Sequence, residues 1–263
     1  MTAQSGVTLT WLGQAGFLLR STEATVLVDA FLSDHPERRT PPPIVPSKLT
    51  DVDVILCTHE HIDHLDGPTV AAVAQASPHA RVVVPEPISD QAIGCGVPAG
   101  RVSPAVAGEP VKGLPVPVWP VPAQHGVDVA DAYNFGHSLS NAARYLGYVV
   151  ELGGVRIYHA GDTLWWPGLD QTLRDLDARV LLLPINGRDP AREAANLVGN
   201  MDHREAALLA DAVGADLLVP MHWDMFAGNR GYPDHLVAVV ERLDLDVSVM
   251  IPRIARPFRY LPV

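Results

Sequence analysis

Apolar and polar residues alternate along the first twenty positions in the manner of a hairpin. Val7-Thr8-Leu9-Thr10-Trp11 predicts one strand, Gly13-Gln14-Ala15-Gly16 a turn, and Phe17-Leu18-Leu19 the return strand. Thr25 to Ala30 predicts a third strand. Pro41-Pro42-Pro43 to Pro46 predicts a rigid surface connection. The apolar run within Val52 to Cys57 reads as a buried strand, and Pro68 to Ala76, with proline in its first turn, as a helix. Strands and short helices then alternate. Val82 to Val84 is a strand, Pro87 to Ile93 a helix, and Val116 to Val121 contains a strand. Arg144 to Glu151 and Val155 to His159 form a hairpin joined by Gly153-Gly154. Leu169 to Leu176 is a helix, Val180 to Leu183 a strand, Arg204 to Val213 a helix capped by Asp202, Leu217 to Val219 a strand, and Leu236 to Leu243 a helix. No long linker, low-complexity tract or repeat interrupts this pattern, so residues 1–263 read as one domain made of two halves, each a sheet with helices outside.

The 263 residues are 48% hydrophobic, ample for a core, and carry 30 acidic against 19 basic side chains. A net charge of −11 with no cluster of Lys or Arg argues against a nucleic-acid or anionic-membrane surface. It leaves room for an anionic small-molecule substrate, because bound metal would reverse the local field. Two cysteines, Cys57 and Cys95, without framework spacing point to a reducing compartment. The first residues lack a basic and then apolar leader pattern, and no run approaches the roughly 18 apolar residues of a membrane span. A cytoplasmic protein without membrane association is expected.

The densest chemistry is Thr58-His59-Glu60-His61-Ile62-Asp63-His64, directly after the buried strand Val54-Ile55-Leu56-Cys57. In an extended segment His59 and His61 project to one side and can share a divalent metal. Asp63 and His64 follow where the chain turns and can face a second one. A two-metal site of that kind makes hydroxide from water at neutral pH and clamps an oxygen-rich substrate. Further candidate ligands stand just past strands: His125, Asp162 and His222. Gly161 permits the sharp turn that would expose Asp162. His137 competes with His125. His125 is preferred because it sits at a strand exit, whereas His137 lies in a polar loop.

This set, in this order, resembles the metallo-β-lactamase-fold hydrolases over essentially the whole chain. The resemblance implies an α/β four-layer αββα sandwich with metals between the two sheet edges. It further implies one metal on His59, His61 and His125 and a second on Asp63, His64 and His222, with Asp162 bridging. The antibiotic-hydrolysing members are exported and commonly place a cysteine at the second metal, where this chain has Asp162, a harder donor. The nucleic-acid-cleaving members carry a large extra domain before the last histidine, for which the span from Asp162 to His222 is too short.

Four segments are similar to the L-ascorbate-6-phosphate lactonase group: Trp11 to Gly16, Pro184 to Asp189, Gly199-Asn200-Met201 and Pro220 to Phe226. That resemblance implies a metal-dependent lactone hydrolase, typically with manganese. This chain is shorter than those lactonases, which bears on the substrate more than on the reaction. The donor types allow two Mn²⁺ or Zn²⁺ ions. Asp63 is the expected proton acceptor. Asn186, Arg188, Arg192 and Asn200, after a strand and beside Gly187, are candidates to hold a sugar phosphate. The alternative for Arg188 is an ion pair with Asp189. Asn134, Asn141 and Arg144 read as solvated loop or as a far wall of the pocket. Trp165-Trp166-Pro167 reads either as an apolar wall of the site or as a contact to a second copy in a homo-oligomer. Asp224 is a candidate hydrogen-bond partner for a ligating imidazole. Two other functions fit the residues: a phosphodiesterase, and a metal or ligand sensor without turnover.

Overall fold

The structure is a computed structural model that describes residues 6–126, 142–188, 190–194 and 199–262. His137, Asn134, Asn141 and Asp189 lie outside them. The chain first lays down β1 (Val7–Gly13), β2 (Gly16–Arg20), β3 (Thr25–Val28) and β4 (Val54–Leu56). Helix α1 (Gly67–Ala76), β5 (Arg81–Pro85), α2 (Ser89–Gly94) and β6 (Val102–Ala105) follow. A second sheet is built from β7 (Val118–Pro122), β8 (Leu146–Leu152), β9 (Val155–His159), helix α3 (Leu169–Asp175) and β10 (Val180–Pro184). It is completed by α4 (Pro190–Ala194), α5 (His203–Val213), β11 (Leu217–Met221), α6 (Pro233–Leu243) and β12 (Ser248–Val249). The chain then returns to the first sheet with β13 (Pro257–Tyr260).

The strand orders are β13-β1-β2-β3-β4-β5-β6 and β12-β11-β10-β9-β8-β7. Both sheets are mixed. In each, an antiparallel hairpin leads into parallel strands joined through helices. A large apolar cluster joins the facing sides of the two sheets and continues under α3, α5 and α6. A smaller one fills the space between the first sheet and α1 and α2. The result is the α/β layering of helices, sheet, sheet and helices that the alternation of elements implies.

The hydrophobic pattern locates most elements to within a few residues. β4 is shorter than the apolar run because Cys57 and Thr58 leave the sheet to start the histidine-rich loop, although both stay buried. β6 and β13 are not legible in the pattern. Pro104 and Pro257 interrupt them, and each is an edge strand, where a missing N–H is tolerated. β12 has only two residues, and α4 only five. Among the described residues no helix is long and apolar enough to cross a membrane.

α5 begins as expected at Asp202, whose side chain accepts from the N–H groups of Arg204 and Glu205 while Glu205 reaches back to the Asp202 N–H. It ends at Gly214 in the left-handed region. Asp202→Ala should therefore lower unfolding stability by about 1 kcal/mol, read as a lower midpoint in urea; an unchanged midpoint would show that packing alone sets this helix start.

Candidate metal centre

Three loops of the first sheet and three of the second converge at one place. The β1–β2 turn brings Gln14, the end of β3 brings Asp29, and the end of β4 brings His59, His61, Asp63 and His64. From the second sheet, His125 follows β7, Asp162 follows β9 and His222 follows β11. His61, Asp63 and His125 are half-buried, and the other six are buried.

One potential metal-holding group comprises His59, His61, His125 and Asp162, and another Asp63, His64 and His222. In the first, His59 Nε2 lies 2.9 Å from His61 Nδ1, and His125 Nε2 lies 3.3 Å from His61 Nδ1 and 3.7 Å from an Asp162 oxygen, Oδ2. In the second, His222 Nε2 lies 3.4 Å from His64 Nε2 and 3.2 Å from Asp63 Oδ2. The other Asp162 oxygen, Oδ1, lies 3.4 Å from His64 Nε2 and 3.3 Å from His222 Nε2. Donors about 2.0–2.1 Å from a common ion at tetrahedral angles stand roughly 3.3 Å apart, so these separations fit a bound cation. Asp162 Oδ1 is also buried without a hydrogen-bond donor among the described residues, which a cation would remedy. The donor set fits one or more divalent metals.

Several residues aim these imidazoles. Asp29, fully buried, accepts from the Thr58 N–H at 2.8 Å and from the Thr58 hydroxyl at 2.7 Å. Its Oδ2 also lies 2.7 Å from His64 Nδ1, which leaves Nε2 of that ring pointing into the cluster. His125 Nδ1 lies 2.9 Å from the Gly199 carbonyl oxygen. A Cβ at Gly199 would come within 2.3 Å of that same nitrogen, so the approach needs glycine. Gly161, at φ +60°, turns the chain as expected. A side chain there would meet Thr58 Cβ and the Leu146 carbonyl at 2.8 Å. Tyr145, buried, packs against the rings of His59, His61 and His125 with centroids 5.5, 6.3 and 5.2 Å away. Asp29, Gln14 and Tyr145 were not singled out from the sequence as site residues. Asp29 carries a signal as an acid at a strand end, and Gln14 as part of the Trp11 to Gly16 segment.

The charges explain the titration. Burial, followed by the charge of His64, holds His59 far below the usual imidazole value; burial and His125 lower His61. Burial also opposes charge on His64, yet Asp162, Asp63 and Asp29 outweigh it and raise that imidazole well above its ordinary value. His222 is raised in the same way, against burial, by Asp162 and Asp63. Burial pushes the two acids up, but His64 and His222 hold Asp63 below the usual carboxylate range, and His222 and His64 hold Asp162 well below it. Without metal, these carboxylates favour the protonated forms of His64 and His222.

The remaining candidates mostly tie the neighbouring loop together. Asn200 donates to Asn186 Oδ1 at 3.0 Å, and Asn186 donates to Asn229 at 2.7 Å. Arg192 donates to the carbonyls of Asn186 and Gly228. Arg188, left-handed at φ 54°, pairs with Glu205 at 2.7 Å. This loop reaches the metal centre through Gly199 and His125. Arg144 pairs with Glu60 at 2.6 Å. Asp224 accepts from the backbone N–H of Gln14 at 2.9 Å, so the partner it shows is a turn amide and not an imidazole. Trp165 and Trp166 pack on the main core, and the Trp166 indole N–H donates to the Pro122 carbonyl.

The family model of the Beta-lactamase superfamily domain matches residues 24–223. A UPF0173 metal-dependent hydrolase of Aeropyrum pernix is 31% identical over 260 residues, 92% of this chain and 93% of that protein. Another, of Methanopyrus kandleri, is 29% identical over 256 residues, 92% and 95% of the two chains. Among solved structures, a metallo hydrolase from the archaeon Ignicoccus hospitalis shares the fold with a TM-score of 0.72 at 23% identity, covering 97% of this chain and 99% of that one. An isothiocyanate hydrolase from Delia radicum gut bacteria does so with a TM-score of 0.73 at 19% identity, again over 97% and 99%.

Two outcomes follow from this geometry. Asp29→Asn should weaken divalent-cation binding by about 10- to 100-fold, the usual effect of removing a carboxylate behind a ligating imidazole; unchanged affinity in a calorimetric titration would show that Asp29 does not orient His64. The metal-free protein should also bind cations more tightly at pH 8 than at pH 6. Because the folded values of His64 and His222 lie above the ordinary imidazole pKa of about 6.5, the stability their charged forms contribute is fully present below that pH. It fades as pH rises through the raised values. A cation must displace those protons, so binding releases them, and titrations in buffers of different ionisation enthalpy should report that release.

Proposed function

The chain belongs to the β-lactamase superfamily and, within it, to the UPF0173 metal-dependent hydrolases, and on that premise we propose that it opens a lactone, a phosphorylated sugar lactone in particular, with two divalent ions. The observation that carries this reading is the division of one donor cluster into two groups, with the two oxygens of Asp162 turned to opposite groups. His59, His61 and His125 would hold one ion, Asp63, His64 and His222 the other, and Asp162 both. Mn²⁺ or Zn²⁺ bound there would supply Lewis acidity toward a carbonyl oxygen and lower the pKa of a water to near 7.

The protein's own contribution is orientation and proton handling. Asp29 and Gly199 fix the His64 and His125 rings, so the donors are preorganised for cation and substrate. Asp63 accepts the proton lost by the attacking water. Its partial exposure, 14% of the side chain, gives the proton a way out to solvent. Arg188 and Arg192, on the loop anchored to His125 through Gly199, would face the anionic end of a substrate. Arg188 is 35% exposed while paired to Glu205, so a phosphate would compete with that carboxylate for the guanidinium.

Metal-stripped protein reloaded with Mn²⁺ or Zn²⁺ should release acid from phosphorylated lactones in a panel that also holds plain lactones and small phosphodiesters. Turnover confined to the phosphodiesters would replace lactone opening with displacement at phosphorus. His61→Ala should abolish turnover and lower bound metal; normal activity with a full metal complement would remove His61 from the site. Arg188→Ala should raise KM severalfold for phosphorylated lactones and leave plain ones unchanged; equal effects on both would deny Arg188 a phosphate role.

A further inference from the structure

Among the described residues Gln14 brings a side-chain amide into the donor cluster, and its surroundings over-determine its place. The residue is 1% exposed and left-handed at φ 53°, an unfavourable region for a side chain larger than glycine. Its backbone is pinned at both ends. The N–H donates to Asp224 Oδ1 at 2.9 Å, and the carbonyl accepts from the Trp11 indole N–H at 3.0 Å and from the His222 N–H at 3.0 Å. His222 is itself left-handed, at φ 58°. Two strained residues on different sheets thus hold each other in register, and stacking of Trp11 on Trp223, centroids 5.1 Å apart, clamps the same two turns.

This arrangement directs the Gln14 amide at the second group of donors. Its Nε2 lies 2.8 Å from Asp63 Oδ2 and 2.9 Å from His222 Nε2. These separations are a few tenths of an ångström shorter than the 3.2 and 3.4 Å between the donors of that group, so the end of the amide lies beside them, close to a donor position. In the structure the nitrogen faces Asp63 and donates to it. A half-turn about the last side-chain bond exchanges nitrogen for oxygen within the same envelope. The amide oxygen is a neutral, hard donor of the kind that Mg²⁺, Ca²⁺ and Mn²⁺ favour over softer ions.

We propose that Gln14 is a ligand of the second cation: the buried amide beside Asp63 and His222 turns its oxygen to the ion and biases that position toward hard, higher-coordinate cations such as Mn²⁺ over Zn²⁺. The proposal rests on the two-ion reading above and adds a donor and a metal preference to it. No charge is added by this ligand, so it raises coordination number without adding to the repulsion among Asp29, Asp63 and Asp162.

The test compares wild type with Gln14→Leu, which keeps the shape and removes both polar atoms, and Gln14→Glu, which offers oxygen but no N–H. Metal-stripped proteins are titrated calorimetrically with Mn²⁺ and with Zn²⁺, and bound metal is counted by elemental analysis. Wild type should take two ions. Gln14→Leu should keep one ion at wild-type affinity, which also shows that it is folded. It should lose at least tenfold in affinity for the second Mn²⁺, with a smaller loss for Zn²⁺. Gln14→Glu should keep both ions. A Gln14→Leu protein that takes two ions with wild-type affinity and Mn²⁺/Zn²⁺ preference overturns the proposal, and so does one that loses both. A Gln14→Glu protein as impaired as Gln14→Leu also overturns it, because the wild-type amide would then be acting through its N–H on Asp63. A wild type that takes only one ion removes the two-ion reading and this ligand together. Two ions in wild type and in Gln14→Leu alike remove this ligand alone.

Discussion

Burying Asp29, Asp63 and Asp162 among the rings of His59, His64 and His222 carries a steep desolvation cost unless positive charge is placed between them. The organisation of the protein around its metal centre follows from that requirement. In the metal-free chain the carboxylates that face His64 and His222 raise their affinity for protons and so favour positive charge there. A divalent cation supplies the same charge from the same positions. Protons and metal therefore compete for one set of lone pairs, which makes the centre sensitive to pH.

The scaffold meets the requirement by closing two sheets over one end. Each sheet sends loops from three places along one end to the same point, neighbouring strands in the first sheet and alternate strands β7, β9 and β11 in the second, and the apolar seam between the sheets keeps water from most of the donors. Rigid placement comes from buried hydrogen bonds behind the rings. Thr58 holds Asp29, Asp29 holds His64, the Gly199 carbonyl holds His125, and the Gln14 carbonyl holds the backbone of His222. Three of the left-handed non-glycine residues, Gln14, Asp29 and His222, stand at this place. Such conformations persist where the surroundings over-determine them, and here both sheets contribute.

The loop from Asn186 to Asn200 shows how far residue type alone carries a functional reading. Arginines and asparagines beside a glycine suggest an anion site. In the structure the asparagines hydrogen-bond to one another, Arg192 clips two carbonyls, and Arg188 is paired with Glu205, seventeen positions away. The described residues of this loop are tied by these contacts, and the tie from Gly199 to the metal centre is a carbonyl, a group that every residue possesses and that no sequence pattern marks.

The sequence by itself determined the layered α/β architecture and marked the His and Asp side chains that the structure gathers at one place. Strand and helix periods are local, and six residues from His59 to His64 hold four donors, a density visible without any fold. His125, Asp162 and His222 were legible because each follows an apolar run that had to be a strand, and Asp202 because helix caps are local chemistry. Tertiary structure alone decided the pairing of β13 with β1 and of β6 with β5, since proline-bearing edge strands acquire their geometry from a neighbour's free edge. It alone brought Gln14, Asp29 and Tyr145 to the centre. Their roles depend on contacts across 20 to 210 positions of chain, and only closure of one sheet upon the other brings those positions together.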